Sequence, residues 1–155
     1  MSGTVDKRLS ELGIDLPEPS APAANYIPYV VSGNLIFVSG QITMSGGELK
    51  YLGKIGDGLG IDDGYQAARI CAINLLAQVK VACGGDLDRV KQVVKLGGFV
   101  NCAPDFTDQP KVINGASDLM VEVFGDAGKH ARFAVGAPSL PLGIAVEVDG
   151  IFQID

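Results

Sequence analysis

Apolar and polar positions follow two periods along this chain, and the points where the period changes divide it into elements. Val5, Leu9 and Leu12 share one side of a helix over 4–13, which Gly13 ends. The stretch Leu16-Pro17-Glu18-Pro19-Ser20-Ala21-Pro22 admits neither helix nor central strand. Residues 1–22 therefore read as a helical arm with a Pro-rich connector, lying against another subunit or hanging free, and residues 23–155 as the main domain. Tyr26–Val31 and Leu35–Ser39 predict two strands around a tight Ser32-Gly33-Asn34 turn. Leu35-Ile36-Phe37-Val38 is apolar at every position, the mark of a strand buried on both faces. Ser45-Gly46-Gly47 predicts a further turn, a third strand follows over 48–52, and a glycine-rich loop spans 53–60.

The period then becomes helical. Ala68, Cys71, Ala72, Leu75, Val79 and Ala82 recur at i, i+3, i+4 spacing, with Asp62-Asp63 as the cap and Gly84-Gly85 as the stop. Val90–Val100 is rich in β-branched residues and predicts a strand, in which Gly97-Gly98 marks a bulge or a close backbone approach. Pro110 opens a second helix with Val112, Ala116, Leu119 and Val123 inward, broken at Gly125-Asp126-Ala127-Gly128. Two short strands flanking Leu140-Pro141 complete the order β-β-β-α-β-α-β-β. This is an α+β chain, with two helices covering one face of a mixed or antiparallel sheet. The other face still carries Leu35/Phe37 or Ile36/Val38, so a monomer would expose an apolar patch and a homo-oligomer is predicted.

The last two strands hold the candidate chemistry. If they pair antiparallel about Leu140-Pro141, Arg132 lies opposite Glu147 and both point to one side, together with Ala134, Gly136 and Ala145. Phe133, Val135, Val146, Val148 and Phe152 then face a core. A guanidinium and a carboxylate on a small-residue face suit a polar guest; the same spacing also suits a plain salt bridge between the two. His130, the single histidine, stands at a strand entry and reads as a loop residue at the rim of the cleft rather than an acid–base group. Tyr29 is either core packing or a hydroxyl reaching the site. The loop over 53–60 lacks G-K-[ST] and reads as a flap or hairpin rather than a phosphate loop.

Composition narrows the function classes. The 155 residues are 47% hydrophobic, enough for one domain with a real core. A net charge of −6 with scattered Lys and Arg argues against a nucleic-acid groove. Three cysteines without C-x-x-C spacing support neither a disulfide framework nor zinc, and a reducing, cytoplasmic setting is expected. Residues 1–8 hold no apolar signal core, and no segment predicts a membrane span.

Several pieces run in the order of the YjgF/RidA family, once labelled endoribonuclease L-PSP. They are Ala21-Pro22-Ala23-Ala24 with Tyr29, Leu35-Ile36-Phe37-Val38-Ser39-Gly40-Gln41-Ile42, Phe99-Val100 with Asp105-Phe106, Asn114, Ala131-Arg132, Leu140-Pro141 and Val146-Glu147-Val148. The chain resembles a longer, divergent branch of that family. The resemblance implies a chorismate-mutase-like fold of the Bacillus type and a homotrimer around a barrel-like core, with a small-molecule cleft at each subunit interface. It implies hydrolysis of reactive enamines and imines of the 2-aminoacrylate type to 2-keto acids and ammonia, without metal or cofactor. By position, Arg132 would grip the substrate carboxylate and Glu147 would orient or activate water. Tyr29, Gly40 and Asn114 would line the cleft, and Ala134 keeps the family's small residue two places after the arginine. Where the family has Pro before Ala-Arg and a hydroxyl residue after it, this chain has His130 and Phe133. A non-catalytic trimeric module binding small carboxylate metabolites is the alternative, and the ribonuclease label sits poorly with the acidic charge.

Overall fold

In the computed structural model, residues 3–19 and 25–155 are described. Helix α1 (Thr4–Glu11) precedes the hairpin of β1 (Tyr29–Ser32) and β2 (Leu35–Gln41). Four two-residue strands follow, β3 (Met44–Ser45), β4 (Glu48–Leu49), β5 (Lys54–Ile55) and β6 (Gly58–Leu59). The chain continues through α2 (Ile61–Ala82), β7 (Val90–Asn101), α3 (Gln109–Phe124), β8 (Ala131–Ala137) and β9 (Val146–Ile154). The end of the Pro-rich connector and the predicted domain start at residue 23 lie outside the described residues, as does the Ala21–Ala24 motif. No helix among the described residues is long and apolar enough to cross a membrane.

Five strands form one mixed sheet in the order β1-β2-β9-β7-β8. All its pairings are antiparallel except β7 with β8. This corrects the hairpin expected of the last two strands: β9 pairs with β2 and β7, and β7 stands between β9 and β8. The reason is the intervening helix. Two parallel neighbours need a long crossover, and α3 supplies it between β7 and β8. The twelve-residue β7, rich in β-branched side chains, is then paired on both edges. The stretch predicted as a third strand contributes only β4, which pairs with β3 outside the main sheet.

Helices α2 and α3 cover one face. Ala68, Cys71, Ala72, Leu75 and Val79 of α2, with Val112, Ala116 and Leu119 of α3, meet Ile36, Leu96, Val100, Val146, Val148 and Phe152 of the sheet. The helices cross closely because Gly115 has no side chain: a Cβ there would stand 2.0 Å from the Tyr65 carbonyl oxygen. The Gly97-Gly98 pair proves to be a close approach, since a Cβ on Gly98 would meet Ile113 at 2.6 Å. The register breaks of β7 fall earlier, between Val90 and Gln92 and between Val93 and Lys95. The cap of α2 is Gly60, whose N–H is bound by the Asp63 carboxylate at 2.9 Å, which moves the two aspartates into the first turn.

The described part of the arm does not hang free, because α1 packs on its own chain. Val5 and Leu9 are buried, and the Thr4 and Val5 N–H groups donate to the Asp88 carboxylate at 2.9 and 2.8 Å. Asp6 pairs with Lys80 at 3.0 Å. The 53–60 loop is likewise pinned: Ile55 is fully buried and the Lys54 ammonium donates to Asn101 Oδ1 at 2.8 Å and to the Pro138 carbonyl. The sheet face away from the helices stays open in one chain. Ile36 and Val38 lie beneath the helices, whereas Phe37 is 41% exposed and shares its face with Val30, Phe99 and Val135, all partly exposed.

Candidate functional site

Alternation along β8 and β9 decides where each predicted side chain stands. Arg132 pairs in register with Leu96, which is fully buried under the helices, so its side chain lies on the helix side of the sheet. Glu147 pairs with the exposed Phe99 and lies between the buried Val146 and Val148, so it stands on the open face. Arg132 and Glu147 therefore do not share a side, contrary to the expectation from the sequence. Two strand spacings, about 10 Å, also separate their strands. Ala134 and Gly136 go with Arg132, whereas Phe133 and Val135 go with Glu147. The alternation within each strand is as the sequence predicts, whereas the relation between the two strands differs because β7 lies between them.

Two groups of predicted residues result. The first gathers at the edge strand β8. Arg132 Nη1 donates to Ser117 Oγ at 3.0 Å and Nη2 donates to the Pro110 carbonyl at 3.3 Å. Both acceptors belong to α3, where positions 110, 114 and 117 form one helical stripe, so Asn114 lies on the stripe that faces Arg132. Arg132 is half-buried, and among the described residues no carboxylate comes within ion-pairing distance of it. The plain salt bridge with Glu147 is thus not formed within the chain. His130, read as a loop residue at the rim of the cleft, bonds through Nε2 to Ser117 Oγ at 2.9 Å, and its Nδ1 donates to the Gly128 carbonyl at 2.6 Å.

The second group lies at β2 and β9. Gly40 rests against Glu147: a Cβ at position 40 would stand 2.9 Å from the carboxyl carbon. Burial, and then the neighbouring Asp149 charge, push the Glu147 carboxyl above its ordinary range. Burial also raises Asp149, against the lowering effects of the Gly97 N–H and Lys95. Gly97 lets both side chains close in here: a Cβ would meet Asp149 Oδ1 at 2.4 Å and the Phe133 ring at 2.6 Å, and one of them would have to shift. Phe133 in turn stacks edge-on with Phe99, centroids 5.3 Å apart, beneath the Lys95 ammonium. Tyr29 is half-buried and packs on the core, and it also lines a recess of about 280 Å³ with Phe37, Ser39 and Asp149. Of the two readings offered for Tyr29, core packing is the one its contacts show.

The sequence reading missed Ser117 and Asp149. Ser117 had a visible signal, a hydroxyl three residues after Asn114 on an apolar helix, but nothing in the chain order pointed it at His130. Asp149 is two residues from Glu147 and so on the same face, a signal the strand period carries.

A comparison with family models matches residues 6–151 to the family described as "YjgF/chorismate mutase-like, putative endoribonuclease". The chain is 49% identical over 155 residues to Protein TCP17 of Trypanosoma cruzi, with 99% of this chain and 96% of that one covered. Among solved structures it is similar to a protein of unknown function from Agrobacterium tumefaciens, at 47% identity and a TM-score of 0.92, over 97% of this chain and 92% of that chain. It shares the fold of E. coli TdcF with bound serine, at 21% identity and a TM-score of 0.63, over 89% and 94% of the two chains.

Proposed function

Since the chain belongs to the YjgF/RidA (YjgF/chorismate mutase-like) family, we propose that it hydrolyses reactive 2-imino acids of the 2-aminoacrylate type to 2-keto acids and ammonia, at a cleft assembled between copies in a homotrimer. The observation that carries this reading is Arg132. Its guanidinium is held at a sheet edge by two neutral oxygens, with no carboxylate against it among the described residues. A planar fork left without a counter-charge suits a substrate carboxylate, with which it makes two parallel, charge-assisted bonds.

The topology supports a site divided between chains. Within one chain Arg132 and Glu147 face opposite sides, and Tyr29 sits on the far edge strand, four spacings or about 19 Å from β8. One small ligand cannot touch all three in a single copy. Assembly through the open faces, whose Val30, Phe37, Phe99 and Val135 call for a cover, would set the Tyr29, Gly40 and Glu147 of one copy beside the β8 edge of the next, where Arg132 stands. That TdcF is a fold relative with a bound amino acid supports a small amphoteric guest.

The chemistry is light. Water adds to the imine carbon while Glu147, its basicity raised by burial and Asp149, takes the proton. That proton passes to the imine nitrogen, giving a carbinolamine; the hydroxyl proton then also moves to nitrogen, the carbon–nitrogen bond breaks, and ammonia leaves as the keto group forms. Arg132 holds the carboxylate and Asn114 borders it; orientation supplies most of the acceleration. The second reading is a trimeric module that binds small carboxylates without turnover, favoured by the loss of the hydroxyl residue that follows Arg132 in the family. Keto-acid release from enzymatically generated 2-aminoacrylate separates the two. Release faster than in buffer and abolished in Arg132→Ala supports the hydrolase. Calorimetric binding of 2-oxobutyrate without release supports the module. A wild type that does neither refutes both.

A further inference from the structure

We propose that Ser117 and His130 are positioning residues that hold the Arg132 guanidinium in its anion-gripping pose, through a one-way chain of hydrogen bonds ending on the Gly128 carbonyl. The proposal rests on the reading of Arg132 as the carboxylate clasp and extends it to two residues outside the family's resemblance.

The direction of the chain follows from what each atom can do. The Gly128 carbonyl can only accept, so the proton of a neutral His130 sits on Nδ1, 2.6 Å away. Nε2 is then an acceptor, and the Ser117 hydroxyl 2.9 Å away gives it its hydrogen. With its hydrogen committed, Ser117 Oγ turns lone pairs toward Arg132 Nη1, which donates at 3.0 Å. An unanchored hydroxyl could rotate its hydrogen toward the guanidinium and repel it; the imidazole removes that option.

The far end of the chain is rigid. Gly128 lies so close to α3 that a Cβ would stand 2.1 Å from the Met120 carbonyl oxygen, so the loop carrying the terminal acceptor is clamped to the helix that carries Ser117. The Pro110 carbonyl takes a second guanidinium proton at 3.3 Å. Of the five N–H donors of arginine, three remain to meet a guest. Long arginine side chains lose much rotamer freedom on binding; a guanidinium already held has less to lose.

The test is calorimetric binding of 2-oxobutyrate to the full chain, with a thermal melt of each variant. The expected result is about tenfold weaker binding for both Ser117→Ala and His130→Ala. His130→Gln, whose amide oxygen can take the serine proton, restores most of the affinity. In an Arg132→Ala background the added His130→Ala change has no further effect, because there is nothing left to position; a role confined to packing would still weaken binding there and would not be rescued by Gln. Near-wild-type affinity in folded Ser117→Ala and His130→Ala, with Arg132→Ala weak, overturns the positioning role and leaves the clasp standing. Wild-type affinity in Arg132→Ala, or no binding by the wild type, overturns the clasp and the positioning role with it.

Discussion

The most exposed consequence of the proposed assembly is what happens when Phe37 becomes a charge. Phe37 sits in the middle of the open face, 41% exposed in one chain, beside Val30 on β1 and Ile151 on β9. A phenylalanine side chain carries roughly 200 Å² of surface, so about 80 Å² is left for a neighbouring copy to cover. At about 25 cal/mol per Å² that is ~2 kcal/mol per chain and ~6 kcal/mol per trimer. Phe37→Asp forfeits this and adds the desolvation of a carboxylate. The concentration for half-assembly of a trimer varies as the square root of its dissociation constant, so it should rise by at least about 100-fold. Sedimentation velocity across a dilution series measures it directly. Phe37→Leu, which keeps most of the apolar surface, should assemble like the wild type, and all three proteins should share a far-ultraviolet circular dichroism spectrum because Phe37 lies on the open face, outside the helix-covered core. A wild type that sediments as a monomer at micromolar concentration, or a Phe37→Asp variant that dilutes with the wild-type profile, would refute the argument.

Three further outcomes follow from the same geometry. Gly115→Ala drives a Cβ to 2.0 Å from the Tyr65 carbonyl; backbone cannot swing aside as a side chain can, so overpacking should destabilise by about 3 kcal/mol, read as a lower urea midpoint at unchanged slope. Asp88→Ala removes the acceptor of the Thr4 and Val5 N–H groups and should cost about 1 kcal/mol, with faster amide exchange confined to the first turn of α1. Glu147→Gln should stabilise the fold at neutral pH. The native carboxyl is raised above the unfolded value of 4.5, so the folded chain holds more protons there than the unfolded one. Stability is therefore highest below that value and is lost as pH rises through the raised native pKa. The advantage of the glutamine variant should vanish in acid denaturation series below about pH 4; an advantage that persists there contradicts the assignment. The same variant should retain 2-oxobutyrate binding while losing keto-acid release.

Helices α2 and α3, the hairpin of β1 and β2, the long β7 and the alternation within β8 and β9 could all be read from the chain, because each rests on contacts between residues a few places apart. Ala68, Cys71, Ala72, Leu75 and Val79 needed only the 3.6-residue period to reveal a buried stripe. Gly97 and Gly98 announced a close approach by lacking side chains, and the apolar run at Leu35–Val38 announced an open face by having too many.

Which strands become neighbours was a different kind of question. Nothing local in Ala131–Ala137 or Val146–Ile154 says that β7 will come between them; the crossover through α3 decides it, and with it the face on which Arg132 stands. The candidate residues were legible as residue types at family positions, but their partners were not. Ser117 and His130 are 13 positions apart and meet only because Gly128 lets the end of α3 and the start of β8 touch. Chemical identity and period are properties of the sequence alone, whereas the partners of Arg132 depend on long-range packing, and only the folded chain could decide them.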